Sequence, residues 1–262
     1  MIASLGMYDE PWLADANDAI WAAISSRIPG APPTLDRSRP LREIWRDPAL
    51  LLAQTCGWPL LTELVDAVTL VATPMYGFPG CDGPYHRSWI VVRADDPATR
   101  VSDLRGRRAA INGRDSNTGM NLLRAAVAPF ATEGRFFGSV TVTGGHLASL
   151  HAVATGLADV AAIDCVSHGL VARHRTDLLA GTRVLGATPA APGLPFVMGH
   201  AVSAAHLLGL RHALRAALAD PATEPARMAL GWIGLAELSA ADYAPVTAHA
   251  VAARALGMDA LA

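Results

Sequence analysis

The sequence predicts an α/β fold in two lobes, and three observations carry that expectation. Short apolar runs alternate with segments of helical period along residues 108–174, the pattern of a mainly parallel sheet. Two zones rich in proline and glycine, near residues 74–88 and 188–199, bracket this block. Beyond them the chain reads as almost wholly helical, and a helical tail cannot build a sheet-based lobe alone. The tail is therefore expected to pack back on the N-terminal α/β block. The resulting division is a discontinuous lobe of residues 1–87 plus 200–262 and a continuous lobe of residues 88–199. Two crossings of the chain would form a two-strand hinge.

Taken in order, Ile2 to Leu5 reads as a strand and Pro11 to Arg27 as a helix. Pro11 suits the first turn of that helix, and Trp12, Ala16, Ala19, Ala23 and Ile24 give it an apolar stripe. Asp47-Pro48 interrupts the next helical stretch. Leu50 to Ala53 and Val68 to Ala72 read as strands, and Ser88 to Arg93 as another after the glycine-rich passage. Ser102 to Gly106 is a short turn closed by glycine. Then come strand 108–112, helix 119–130, strand 139–143, helix 147–155, strand 160–163 and helix 166–174. The tail is expected to hold helices at 204–218, 224–235 and 240–256.

The 262 residues are 52% hydrophobic and 17% charged, a globular composition. Net charge is −2 with no basic stripe, so nucleic acid is not an expected partner. The chain has no lysine. That excludes a Schiff-base lysine and pyridoxal-phosphate catalysis, and also a P-loop nucleotide site. No cofactor is expected. Cys56, Cys81 and Cys165 match no zinc spacing. They read as small buried hydrophobes, with a Cys56–Cys81 bridge as the alternative in an oxidising compartment. The N-terminus lacks the basic and long apolar regions of a signal peptide, and no stretch is apolar enough to span a bilayer. The chain as given reads as soluble, cytoplasmic or supplied without its leader.

The segment from Ala109 to Asn121 carries the most chemistry. A strand ends, a polar loop follows, and a helix begins at Ser116-Asn117-Thr118-Gly119. Backbone N–H groups and the helix dipole favour an anion there. Ser116 and Thr118 add hydroxyl donors, and Gly119 lets an oxyanion approach the backbone. An ordinary N-cap by Asp115, Ser116 or Asn117 explains the same residues without a ligand. His146, after Gly144-Gly145, can donate to an oxyanion or act as acid or base, or simply pack at a helix start. Asp164, at the end of a buried strand, can hold a ligand amine or cap the next helix. These loops follow successive strands and can converge. From the other lobe, Tyr8 and Tyr76 follow apolar strands, as does the Gln54-Thr55-Cys56-Gly57 segment, and each Tyr offers a flat face and a hydroxyl.

Together, residues 76–88, the run from Asn112 to Asn121, Gly145-His146 and the run from Gly156 to Asp164 resemble the phosphate/phosphite/phosphonate substrate-binding proteins of ABC transporters, over roughly residues 2–200. The resemblance implies a type II periplasmic-binding-protein fold with a ligand between two lobes. It gives Ser116, Thr118 and Gly119 the grip on a phosphorus oxyanion, with Asn117 offering backbone, and it matches His146, Asp164 and Tyr76 to the family's histidine, acidic residue and tyrosine. Asn117-Thr118 stands where small hydroxyl residues are more usual. The implied role is capture of a small oxyanion by a monomer for an ABC permease, outside the cytoplasm and without insertion into the membrane. The alternatives are a cytosolic enzyme on the same fold, similar to menaquinone-pathway enzymes and with His146 as general base, or a ligand sensor.

Overall fold

The computed structural model describes residues 1–261, and in it these residues form twelve strands. In chain order they are β1 (Ile2–Ser4), β2 (Leu50–Gln54), β3 (Val68–Tyr76), β4 (Tyr85–His86), β5 (Ser88–Arg93), β6 (Arg108–Ile111), β7 (Ser139–Val142), β8 (Val160–Asp164), β9 (Thr182–Ala187), β10 (Ala191–Pro192), β11 (Phe196–Gly199) and β12 (Trp232–Ala236). They make two five-stranded sheets and the small pair β10–β4. The chain divides into two units, Met1–Gly77 with Gly193–Asp242, and Phe78–Pro192 with the segment from Tyr243 onward.

The first unit is built on the sheet β1-β2-β11-β3-β12. Leu50, Leu51, Leu52 and Ala53 are fully buried in β2, so this strand is apolar on both faces. The helix Ala14–Ser25 buries Asn17, Ile20, Trp21 and Ile24, an i, i+3, i+4, i+7 stripe. That stripe faces the helices Ala204–Ala219 and Glu224–Leu230.

The second unit is built on the sheet β7-β6-β8-β5-β9. Its central strands feed two cores by strict alternation. Ile90, Val92, Ala109, Ile111, Val160 and Ala162 enter the core on one face. Val91, Ala110, Ala161 and Ile163 enter the core on the other. The helix Leu122–Val127 covers the first face, and the helix His146–Ala154 the second. Because both faces are covered, these strands read in sequence as unbroken apolar runs.

Four expectations are corrected. First, the sheets are mixed rather than mainly parallel. β7, β6 and β8 run parallel, while β5 pairs antiparallel with both β8 and β9. β5 alone is reversed in this sheet: β9, joined to β8 through the helix Cys165–His174, runs parallel to β8, whereas β5 enters from the short strand β4 rather than through a helix.

Second, the expected helix 224–235 stops at Leu230, and β12 follows and pairs with β3. Gly231, at φ 67°, takes the left-handed cap that ends the helix. Third, the last helix, Ala244–Ala255, belongs to the second unit. Ala253, Met258 and Leu261 enter that unit's first core, and the Val246 carbonyl accepts from Asn121 Nδ2 at 2.9 Å. Fourth, the unit boundaries fall at 77/78 and 192/193 rather than 87/88 and 199/200, and a third passage of the chain at 242/243 joins the expected two.

Candidate functional site

β6 ends at Ile111, and the polar loop after it leads into the helix around Ser116. The first turn of that helix, Asn117–Asn121, is wider than an α-turn: Asn121 N donates to Ser116 O at 3.0 Å, five residues back. Such π-turns leave more amides at the helix start without an intrahelical acceptor. Ser116 Oγ accepts from Gly119 N at 2.9 Å, so the plain N-cap reading is realised. The hydroxyl still has its own proton to donate. Ser88 Oγ donates to the Thr118 carbonyl at 2.8 Å and fixes the turn from the neighbouring strand. Ser116, Asn117 and Thr118 are all buried, although they are polar.

Because β6 lies between β7 and β8, the three loops converge. His146 starts its helix after Gly144, whose φ of 92° suits only glycine comfortably. Its Nε2 lies 3.1 Å from Thr118 Oγ1 and 3.4 Å from Asn112 Nδ2. Burial pushes the His146 pKa below the usual 6.5, against the opposing pull of the Asp164 charge and the Ala162 carbonyl. The imidazole is therefore neutral near pH 7. Nε2 thus faces Thr118 Oγ1 and Asn112 Nδ2, while Nδ1 is buried without a hydrogen-bond partner.

Asp164 ends β8 and caps the helix Cys165–His174, its Oδ1 accepting from Val166 N at 2.9 Å and Ser167 N at 3.1 Å. The expected cap and the expected proximity to His146 thus occur together. The structure brings Ser116, Asn117, Thr118, Gly119, His146 and Asp164 together in the second unit.

Tyr8 and Tyr76 belong to the first unit. Their rings meet edge to face with centroids 5.5 Å apart, beside a recess also lined by Asn17, Gln54, Phe196 and Trp232. Gln54 Nε2 donates to Tyr76 Oη at 3.3 Å. Cys56 belongs to the first unit and Cys81 to the second. Cys81 lies beside Cys165 in the second unit, and no disulfide joins the described cysteines.

Sequence reasoning missed two residues. His86 is buried on β4, its pKa pushed down by burial against the charge of Asp164. Ser88, fully buried, is the register partner of Asp164 across β5 and β8. The available signal was two polar residues at i and i+2 entering an apolar strand, which sends both to one side. Among the described residues, no group of His, Cys, Asp and Glu could hold a metal ion, and no helix is long and apolar enough to cross a membrane.

Compared with known structures, the chain is similar to the binding protein component of an ABC phosphonate transporter (PA3383) from Pseudomonas aeruginosa, with a TM-score of 0.75 at 12% identity over 98% of this chain and 86% of that one. It is also similar to PhnD1 from Prochlorococcus marinus (MIT 9301) in complex with methylphosphonate, with a TM-score of 0.71 at 12% identity over 98% and 97% of the two chains. A third likeness is to XAC2383 from Xanthomonas citri bound to ATP, with a TM-score of 0.69 at 17% identity over 97% and 96%. At these identities the likenesses establish the fold, that of the type II periplasmic binding proteins. No curated protein matches by sequence. A sequence model of the family described as ABC transporter, phosphonate, periplasmic substrate-binding protein matches residues 52–243. That span is well over half of the chain, and the chain accordingly belongs to this family, as a solute-binding component of an ABC transporter.

Proposed function

We propose that the chain captures a small phosphorus oxyanion, of the phosphonate, phosphite or phosphate class, on the turn from Ser116 to Gly119, and hands it unaltered to an ABC permease outside the cytoplasm. The observation that carries this reading is a helix start whose polar residues are buried and ringed by other buried polar groups. Polar groups removed from water need partners, and a bound oxyanion supplies acceptors for hydroxyl and amide donors alike. Ser116 gives its hydroxyl proton, and the first turn gives amides other than those of Gly119 and Asn121, which donate to Ser116 itself. Asp164 favours a ligand that presents a proton or an ammonium group on its side, because a bare dianion there would meet like charge.

Family membership supports transport rather than catalysis. Calorimetry on protein stripped of ligand by unfolding and refolding tests the proposal, with methylphosphonate, 2-aminoethylphosphonate, phosphite and phosphate as probes. At least one should bind at one site per chain. Hydrogen bonds to a charged ligand contribute about 1.5–3 kcal/mol each, so the Ser116→Ala/Thr118→Ala double variant should lose roughly 100-fold or more in affinity. Binding of none of the four, or an unchanged affinity in the double variant, would overturn the assignment.

A further inference from the structure

Within the second unit, the loop that starts at Phe78 lies along the helix Cys165–His174. The Phe78 ring fills the space left by Gly169: a Cβ at Gly169 would overlap that ring and lie 2.8 Å from Phe78 Cβ. The Arg173 guanidinium stacks on the same ring, 4.5 Å from its centroid. Gly80 adopts φ 94°, and a Cβ there would sit 2.8 Å from Cys165 Cβ and 2.9 Å from Trp89 Cζ2. Cys81 N closes the turn by donating to the Phe78 carbonyl at 3.1 Å. The loop is thus held down at Gly169 and at Cys165, and Cys81 Sγ comes to rest 3.4 Å from Cys165 Sγ.

We propose that Cys81 and Cys165 are a disulfide pair, oxidised by a small or protein disulfide in the extracytoplasmic compartment. That compartment follows from the family, and it is one in which disulfides form and persist. A disulfide requires an S–S distance of about 2.05 Å, and side-chain rotation at the half-exposed Cys81 supplies the remaining approach. Cys81 meets the oxidant first: its thiolate attacks one sulfur of the carrier disulfide and releases one carrier thiolate. Cys165 then loses its proton, and its sulfur displaces the second carrier thiolate from Cys81. In balance, two cysteine thiols and one carrier disulfide become one protein disulfide and two carrier thiols, with two electrons and two protons passed to the carrier. The hydrogen bond with Cys81, burial and the Asp164 charge all raise the Cys165 pKa, so its closing displacement is the slow step.

The bridge would fasten the point where the chain comes into this unit to the residue beside the helix cap Asp164. The three thiols give a direct test. Protein incubated with oxidised glutathione, then unfolded and titrated with a chromogenic thiol reagent, should show one thiol where dithiothreitol-treated protein shows three. Non-reduced peptide mapping should join the Cys81 and Cys165 peptides, lighter together by two hydrogen atoms. Cys81→Ser and Cys165→Ser should each leave two thiols and no linked peptide. Three titratable thiols after oxidation, a linked pair that contains Cys56, or linkage only between two copies of the chain would overturn the proposal.

Discussion

Replacing Gly119 with alanine adds one methyl group at the most crowded point of the candidate site. Its Cβ would overlap Asn112 Oδ1, and would lie 2.7 Å from Asn112 Cγ and 3.2 Å from His146 Cε1. Two effects oppose each other. Gly119 has helical backbone and is not among the glycines of positive φ, so alanine should gain about 1 kcal/mol in helix propensity. Against this, overpacking a filled site costs about 1–3 kcal/mol. Asn112 must also swing away, which loses its 3.4 Å contact with His146 Nε2. A hydrogen bond that long is worth at most about 0.5 kcal/mol. The net expectation is a loss of up to about 2.5 kcal/mol, seen as a lower urea midpoint. A double-mutant cycle isolates the cause. In an Asn112→Ala background the overlapped side chain is gone, and Gly119→Ala should become neutral or stabilising. Equal effects of Gly119→Ala in both backgrounds would refute the packing described for this turn.

Two further perturbations test other parts of the structure. His86 and His146 are both buried with pKa values held below 6.5, and His168, partly buried, is shifted the same way by desolvation. Unfolded, each titrates near 6.5, so below that pH the unfolded state binds more protons. Their contribution to stability is therefore complete above about pH 6.5 and falls with pH below it, by up to about 1.4 kcal/mol per pH unit for each histidine. Asp36 and Asp103, each held at about 2 chiefly by backbone N–H donors (Ser38 and Thr99) and an arginine, act only lower, their contribution fading as pH drops below 3.8 toward 2. Urea midpoints should fall between about pH 7 and pH 5, and less steeply in His86→Asn; a flat profile would contradict the burial assigned to these rings. Ending the chain after Asp242 removes Ala253, Met258 and Leu261 from the second unit's core and the Val246 carbonyl from Asn121. At about 2–5 kcal/mol for each large buried side chain, the second unit should lose its cooperative fold. Circular dichroism and limited proteolysis would report that loss, and full-length stability in the truncated chain would count against the packing of the last helix.

The chemistry of the turn was legible because it is local. The hydroxyls of Ser116 and Thr118, the glycine at 119 and the end of an apolar strand lie within a dozen residues, and the helix start follows from their order. His146 and Asp164 were legible for the same reason, since each ends a strand–turn–helix unit. His86 was not. It lies on a two-residue strand between a glycine-rich loop and β5, too short for a period of its own, and the i, i+2 spacing to Ser88 is its one local mark. Its role depends on burial near Asp164, and burial is a property of the packed unit.

By itself, then, the sequence determined the α/β class, the polar helix start at Ser116 and the family resemblance, because apolar period, turn residues and motif order are written along the chain. The tertiary structure alone decided the rest. Gly231 could close a helix or sit within one, and only the free edge of β3 made the following residues a strand. The last helix could cover either unit, and its packing on the helix Leu122–Val127, in one core with Leu123 and Val127, assigned it to the second. Cys81 could pair with either remaining cysteine, and the seating of Phe78 on Gly169 placed it at Cys165. Each of these outcomes depends on which surfaces meet, and contacts between residues far apart in sequence are set by burial of apolar area rather than by any local preference.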